Sequence, residues 1–229
     1  MITVDDALQQ EPDLEGASMD ATTGEGTTEV TIGDGCSSMA RPPRVLVHPV
    51  NRWHCDHANF ARLLDLLEQQ VDSMHKGGRP DYELMRSIVD YLRHIPDCFH
   101  HPREDVAFAR MVERDAQLQL QIARRMQEHV VIAAAGDKLL EWLSQIIAGT
   151  VIERSVLEMA AATYLVYYRH HLSAEEREVI PHAMRLLTPA DWTAVAAIPT
   201  EPDPIFGGST DARYSELRRR IGEEPKTAA

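Results

Sequence analysis

Apolar residues recur in alternating steps of four and three along four stretches of this chain, the spacing that lines one face of an α-helix. The first stretch, residues 49 to 75, carries Trp53, Phe60, Leu64, Leu67, Val71 and Met74 on that face and ends at Gly77-Gly78. The second opens after Pro80, where Asp81 and Glu83 suit a helix start, and runs through Leu84, Ile88, Tyr91 and Leu92 to Phe108 and Met111. The third, residues 115 to 148, has the line Ile122, Met126, Ala133, Gly136, Leu140, Leu143, Ile147. The fourth, residues 151 to 187, carries Leu157, Ala161, Tyr164 and Tyr168 and closes at Leu186-Leu187-Thr188-Pro189. No segment reads as a strand. Four amphipathic helices joined by short turns pack most economically as an up-down-up-down antiparallel four-helix bundle, so the chain is expected to be all-α.

Composition divides the chain differently. The net charge is −13, and nine of the acidic residues, with no Lys or Arg, lie in residues 1–40. That leaves −4 for the remainder, which is too acidic to favour phosphate backbones, so nucleic acid is not an expected partner. Residues 1–40 are rich in Thr, Gly, Asp and Glu and lack any aromatic residue, which predicts a disordered acidic head. Residues 41–188 are expected to form the bundle, and residues 189–229 a C-terminal tail with short helices, wrapping outward with Ile205 and Phe206 as its anchors. No apolar run approaches the roughly 18 residues of a membrane span. The acidic start lacks the basic character of an export signal. Three widely spaced cysteines, Cys36, Cys55 and Cys98, suit a reducing cytoplasm.

The candidate chemistry sits on the helical seams themselves. HHPREDVAF at residues 100 to 108 and HHLSAEEREVI at residues 170 to 180 repeat one arrangement, in which His100 and Glu104, like His171 and Glu175, are four residues apart and stack on one helix face. His57 lies on the first seam and His129 on the third. An imidazole or carboxylate buried without a partner costs several kcal/mol or changes its protonation, so six such groups facing one core require a shared compensator. A divalent or trivalent metal ion supplies it. Imidazole and carboxylate donors suit Fe, Mn, Zn or Cu and exclude a thiolate site. The Glu-x-x-His spacing of ferritin-like di-iron proteins is absent, as are HExxH and zinc-finger spacings.

The motifs Asp56-His57, HHPRED, Glu128-His129 and the HHxxxEE block from His170 to Glu176 resemble those of the hemerythrin-like, or HHE cation-binding, family over residues 48 to 187. The resemblance implies a bundle around a non-haem di-iron centre, two Fe ions bridged by carboxylates. It carries the role of metal ligand onto His57, His100, Glu104, His129, His171 and Glu175, with Glu104 and Glu175 as the bridges and His101 as a seventh ligand. O2, peroxide or NO is the implied small ligand, for sensing, scavenging or iron handling. Whether such a centre turns over its ligand as an oxidoreductase is left open, no residue is assigned a catalytic role, and a metal-free helical interaction module is the remaining alternative.

Oxygen-carrying hemerythrins place two histidines four apart on the third helix, whereas Arg125 and Ala133 stand four positions either side of His129. Either His101 or His54 replaces the missing imidazole, or one position stays open to solvent. Pro102 is expected to kink its helix; if it instead begins a new one, His101 with Asp105 competes with His100 and Glu104. Adjacent helical residues point about 100° apart, so only one of His100 and His101, and one of His170 and His171, is expected to face the axis squarely. Tyr164 and Tyr168 are expected as core aromatics, with a hydrogen bond to a ligand as the alternative for either. His48, His54, His75, His94 and His182 are expected at the surface or its boundary.

Overall fold

Helix boundaries fall where the chain chemistry stops propagation. In the computed structural model, which describes residues 48–199, 202–207 and 212–223, helix α1 spans Pro49–His75. Its first turn is capped by the His48 ring accepting from the Val50 N–H, and it ends at Gly77, whose φ of +82° is open to glycine without a Cβ clash. Helix α2, Tyr82–Ile95, is capped by the Asp81 side chain on the Leu84 N–H at 3.0 Å. It continues through a π turn, Pro96–His100, into α3, His101–Arg114. After a 3₁₀ turn, Ala116–Leu118, helix α4 spans Gln119–Ile147 and stops before Gly149 at φ +91°. Helix α5, Arg154–Ala174, passes through a second π turn, Glu175–Val179, into α6, Ile180–Leu186. A capping box between Thr188 and Asp191 starts α7, Pro189–Ala196, and α8 spans Ser215–Glu223.

The described residues are helical with no strand, as the periodicity predicts. Helix α1 packs on α2 and α5, and α4 packs on the same two, so the four long helices close a ring around a shared interior. The second and fourth stretches are each broken once, at the π turns. The acidic head, with Cys36, lies outside the described residues. Of the tail, Ile205 is buried in the apolar cluster that includes Tyr91, Tyr214 and Leu217, and Phe206 is half-buried with its ring 6.2 Å from that of Tyr91.

The interior is not one continuous apolar core. One cluster includes Phe60, Leu64, Leu67, Ile88, Tyr164 and Tyr168. The other includes Trp53, Phe108, Met111, Ile122, Val179 and Trp192. The polar seam residues fall between them along every rod: Trp53, His57, Phe60 on α1, and Tyr168, His171, Glu175, Val179 along α5 and its π turn.

The third seam differs from its expectation. Arg125, Ile132 and Leu139 are buried where Met126, Ala133 and Leu140 were expected inward, and Met126 is 46% exposed. Ile122, Gly136 and Leu143 keep their inward positions. The substitution of Arg125 for Met126 has an electrostatic reason, because its guanidinium lies 2.9 Å from the Glu128 carboxylate.

Candidate metal centre

His57 and His129 each come from the middle of an unbroken helix, and a helical turn places them over the gap between the two apolar clusters. The other five candidate residues come from the two π turns and their flanks. The His101 N–H reaches back five residues to the Pro96 carbonyl, and the Ile180 N–H does the same to Glu175. Each widened turn is followed one residue later by a proline, Pro102 or Pro181, which lacks the N–H that a regular helix would use at that place. Pro102 is thereby absorbed without separating His100 from Glu104, whose Nε2 and Oε1 are 3.0 Å apart.

The first π turn also corrects an expectation. A turn holding more residues than the 3.6 of an α-helix rotates neighbouring side chains through less than about 100°. His100 and His101 consequently both face the interior, at 2% and 9% exposure. The His170–His171 pair lies in regular helix, and only His171 is buried.

Seven donors meet in this layer. Nε2 of His57 is 3.0 Å from Nε2 of His100, 3.7 Å from Glu104 Oε1 and 3.5 Å from Glu175 Oε2. Nε2 of His171 is 3.3 Å from Glu175 Oε2, and Nε2 of His129 is 3.5 Å from Glu104 Oε2 and 3.8 Å from Glu175 Oε1. Two groups of four emerge, His57, His100, Glu104, Glu175 and His101, Glu104, His129, His171, with the donor atoms inside each group all within 4.8 Å of one another. Glu104 belongs to both. Glu175 also spans the layer, since its two oxygens approach His57 and His171 on one side and His129 on the other.

The outer nitrogens of four imidazoles are held by four more carboxylates. Nδ1 of His57 lies 2.8 Å from Glu176, that of His100 3.2 Å from Asp56, that of His101 2.9 Å from Asp97, and that of His171 3.2 Å from Glu128. With the proton on Nδ1 donated to the carboxylate, the Nε2 lone pair faces the interior, the tautomer a metal requires. These partners are cross-braced: Arg52 binds Asp56 at 2.9 Å, Arg93 binds Asp97, and Arg125 binds Glu128. Arg93 crosses α4 at Gly136, where a Cβ would sit 2.4 Å from its side chain. His129 differs. Among the described residues no carboxylate other than Glu104 and Glu175 comes within ion-pair reach of it, and its ring stacks on His101 at 3.9 Å and 15°.

The protein alone compensates this layer with protons. Burial opposes charge on His57 and His129, but Glu104 and Glu176 around the first and Glu104 and Glu175 around the second push each imidazole up to about 10. Burial holds His101 down to about 4 despite Asp97. Burial pulls the Glu104 carboxyl up, yet the adjacent His100, with hydrogen bonds from His129 and His57, holds it well below its ordinary value. Even so, Nε2 of His129 and His171, Oε2 of Glu104 and both oxygens of Glu175 are buried without a hydrogen-bond partner. Such atoms are rare in a native core. These five face one another across the layer, unlike the other partnerless atoms of the interior, and N and O donors around a common point are what a borderline cation takes, so the residues present fit a metal. The 3.0 Å between the His57 and His100 nitrogens matches neighbouring donors on one ion with bonds of about 2.1 Å.

Not every residue singled out in the sequence joins the layer. Asp105 is exposed; the partner of His101 is Asp97, one turn earlier rather than one turn later. His54 stays at the surface and reaches the centre only through Glu176, at 2.8 Å. Tyr164 and Tyr168 are fully buried core aromatics 5.6 Å apart, and neither hydroxyl has a hydrogen-bond partner. His48, His75, His94 and His170 are exposed and His182 is half-buried. The roles of Asp56, Asp97, Glu128 and Glu176 were missed. Asp97 had a signal, four residues before His101; the other three hold histidines on different helices, which spacing alone does not reveal.

A family model described as the Hemerythrin HHE cation binding domain matches residues 48–183. The match takes in all seven donors and covers more than half of the chain, so the chain belongs to this family, as the sequence motifs led us to expect. No curated protein matches it.

Proposed function

We propose that this member of the hemerythrin HHE family binds two iron ions in its helical interior and engages O2, peroxide or NO there, for sensing, scavenging or iron handling. The observation that carries the reading is the pair of four-donor groups that have Glu104 in common. We read the frame as four antiparallel rods running up-down-up-down: α1, α2 through α3, α4, and α5 through α6. His101, His129 and His171 would hold one ion, His57 and His100 the other, and Glu104 and Glu175 would bridge. His101 then stands in for the histidine missing from α4. Bound iron would supply reversible electron exchange and a coordination position for a small ligand.

The chain's own part is to arrange and insulate. Asp56, Asp97, Glu128 and Glu176 each keep a proton on an outer imidazole nitrogen and so present the inner nitrogen to the centre. Carboxylates at Glu104 and Glu175 would reduce repulsion between the cations they share. Phe60 packs edge-on against His100 at 5.3 Å and Phe108 lies over His129 at 6.4 Å, so an aromatic ring from each apolar cluster borders the layer. The side with two histidines has fewer protein donors and is the side on which a small ligand would bind. Exposed free thiols at Cys55 and Cys98 suit a reducing compartment, the cytoplasm, and no helix among the described residues is long and apolar enough to cross a membrane.

Iron analysis of freshly purified protein, with absorption spectra recorded reduced and after air, tests the proposal. Two irons per chain and a spectrum that changes with air support it. Protein that refuses iron, with a melting temperature indifferent to chelator, would favour a metal-free interaction module. A second reading, turnover of peroxide or NO, rests on the donor-poor side of the layer and is separated from binding by steady-state consumption in wild type and His129→Ala.

A further inference from the structure

A small crevice of about 10 Å³ opens beside the Asp56–His100 pair and is walled by Arg52, Asp56, Phe60, Phe99, Arg103 and Asp203, with His100 itself on its wall. Arg103 is 5% exposed, yet its nearest carboxylate oxygen, Asp56 Oδ2, is 3.9 Å away and its Nε has no hydrogen-bond partner. Both carboxylates on the wall are already engaged. Asp56 takes the Arg52 Nε at 2.9 Å on Oδ1 and the His100 ring at 3.2 Å on Oδ2. Asp203 takes the Tyr91 hydroxyl at 2.6 Å on Oδ2 and the N–H groups of Ile205 and Phe206, each at 2.8 Å, on Oδ1. Among the described residues the guanidinium thus has no hydrogen-bonded counter-charge and its Nε is buried without a partner, an unfavourable arrangement unless something else supplies one.

We propose that this crevice is a binding site for one small monovalent anion of halide size, with Arg103 as its principal contact. The space suits a single water-sized particle. A water molecule would offer an oxygen but no charge, whereas a halide answers both needs of the guanidinium. Arg52, with the exposed end of its side chain at the crevice, adds a second positive charge at the mouth. The inference stands apart from iron, because Arg103, the principal contact, belongs to neither donor group of the layer.

The test uses full-length metal-free protein and bromide. Crystals grown in sodium bromide should give an anomalous peak within contact of the Arg103 guanidinium. In solution, bromide should raise the melting temperature saturably, by roughly 3 °C at ten times its Kd, relative to methanesulfonate at equal ionic strength. Arg103→Met should abolish both effects and Arg103→Lys should retain part of them. If either variant fails to fold, the two wild-type measurements decide alone. No peak at Arg103, or equal melting in the two salts, overturns the proposal. A peak without a saturable rise marks an adventitious ion only and overturns it as well.

Discussion

The two His-His segments of this chain look alike in sequence and differ in the number of imidazoles they bring inside. At His100-His101 the π turn ends on the pair, so both rings face the interior. At His170-His171 the π turn begins four residues later, at Glu175, and the pair sits in regular helix, so one ring points out. Proline position accompanies the difference: Pro102 follows the first pair directly, whereas Pro181 lies ten residues beyond the second. A backbone widening of one turn thus turns both rings of a His-His pair inward, and on the proposed reading His101 supplies the imidazole that α4 lacks at Arg125.

The largest expected effect tests what the two segments share. Glu104→Ala removes the carboxylate common to both donor groups and is expected to lower iron from two per chain to less than one, measured by metal analysis after desalting. The next effect separates the segments. His101→Ala should weaken iron binding by at least about 100-fold in a chelator competition, whereas His170→Ala should leave it unchanged. Equal effects from the two variants would show that the π turn does not set the donor count.

Smaller losses are expected from the carboxylates behind the rings. Asp56→Asn and Glu128→Gln keep the shape but weaken the hold on His100 and His171, and each should cost about 10- to 100-fold in iron affinity by the same competition. The smallest effect is a pH dependence. In metal-free protein His57 and His129 have folded pKa values near 10, raised from an ordinary 6.5, so their contribution to stability is complete below 6.5 and lost as pH rises toward 10. Glu104 is depressed, so its contribution is complete above its ordinary 4.5 and falls away in acid. Melting of chelated protein should be highest between about pH 4.5 and 6.5 and decline on the alkaline side. Iron-loaded protein should not show that alkaline decline, since the ion replaces the protons.

How far the sequence reached is plain from particular residues. The seam period turned His57 and His129 inward because an unbroken helix carries a face forward predictably, it held for His171 and Glu175 because the second π turn begins only at Glu175, and the i,i+4 stack of His100 on Glu104 survived its proline. His101 could not be decided from the sequence, because its direction depends on one i+5 hydrogen bond that no residue spacing encodes. The third seam drifted to Arg125 because an ion pair with Glu128 outweighed the burial of a methionine. Glu128 and Asp56 were legible only as neighbours of His129 and His57. Their partners are on other rods, and only the packing of α1 and α4 against the rest brings them to His100 and His171.

Anomalous diffraction at the iron edge from crystals of the full chain grown with iron tests the central claim most directly. The account predicts two peaks within the polar layer, one among His101, His129 and His171 and one beside His57 and His100, with Glu104 and Glu175 reaching both. A single peak, or iron bound away from these donors, would contradict it.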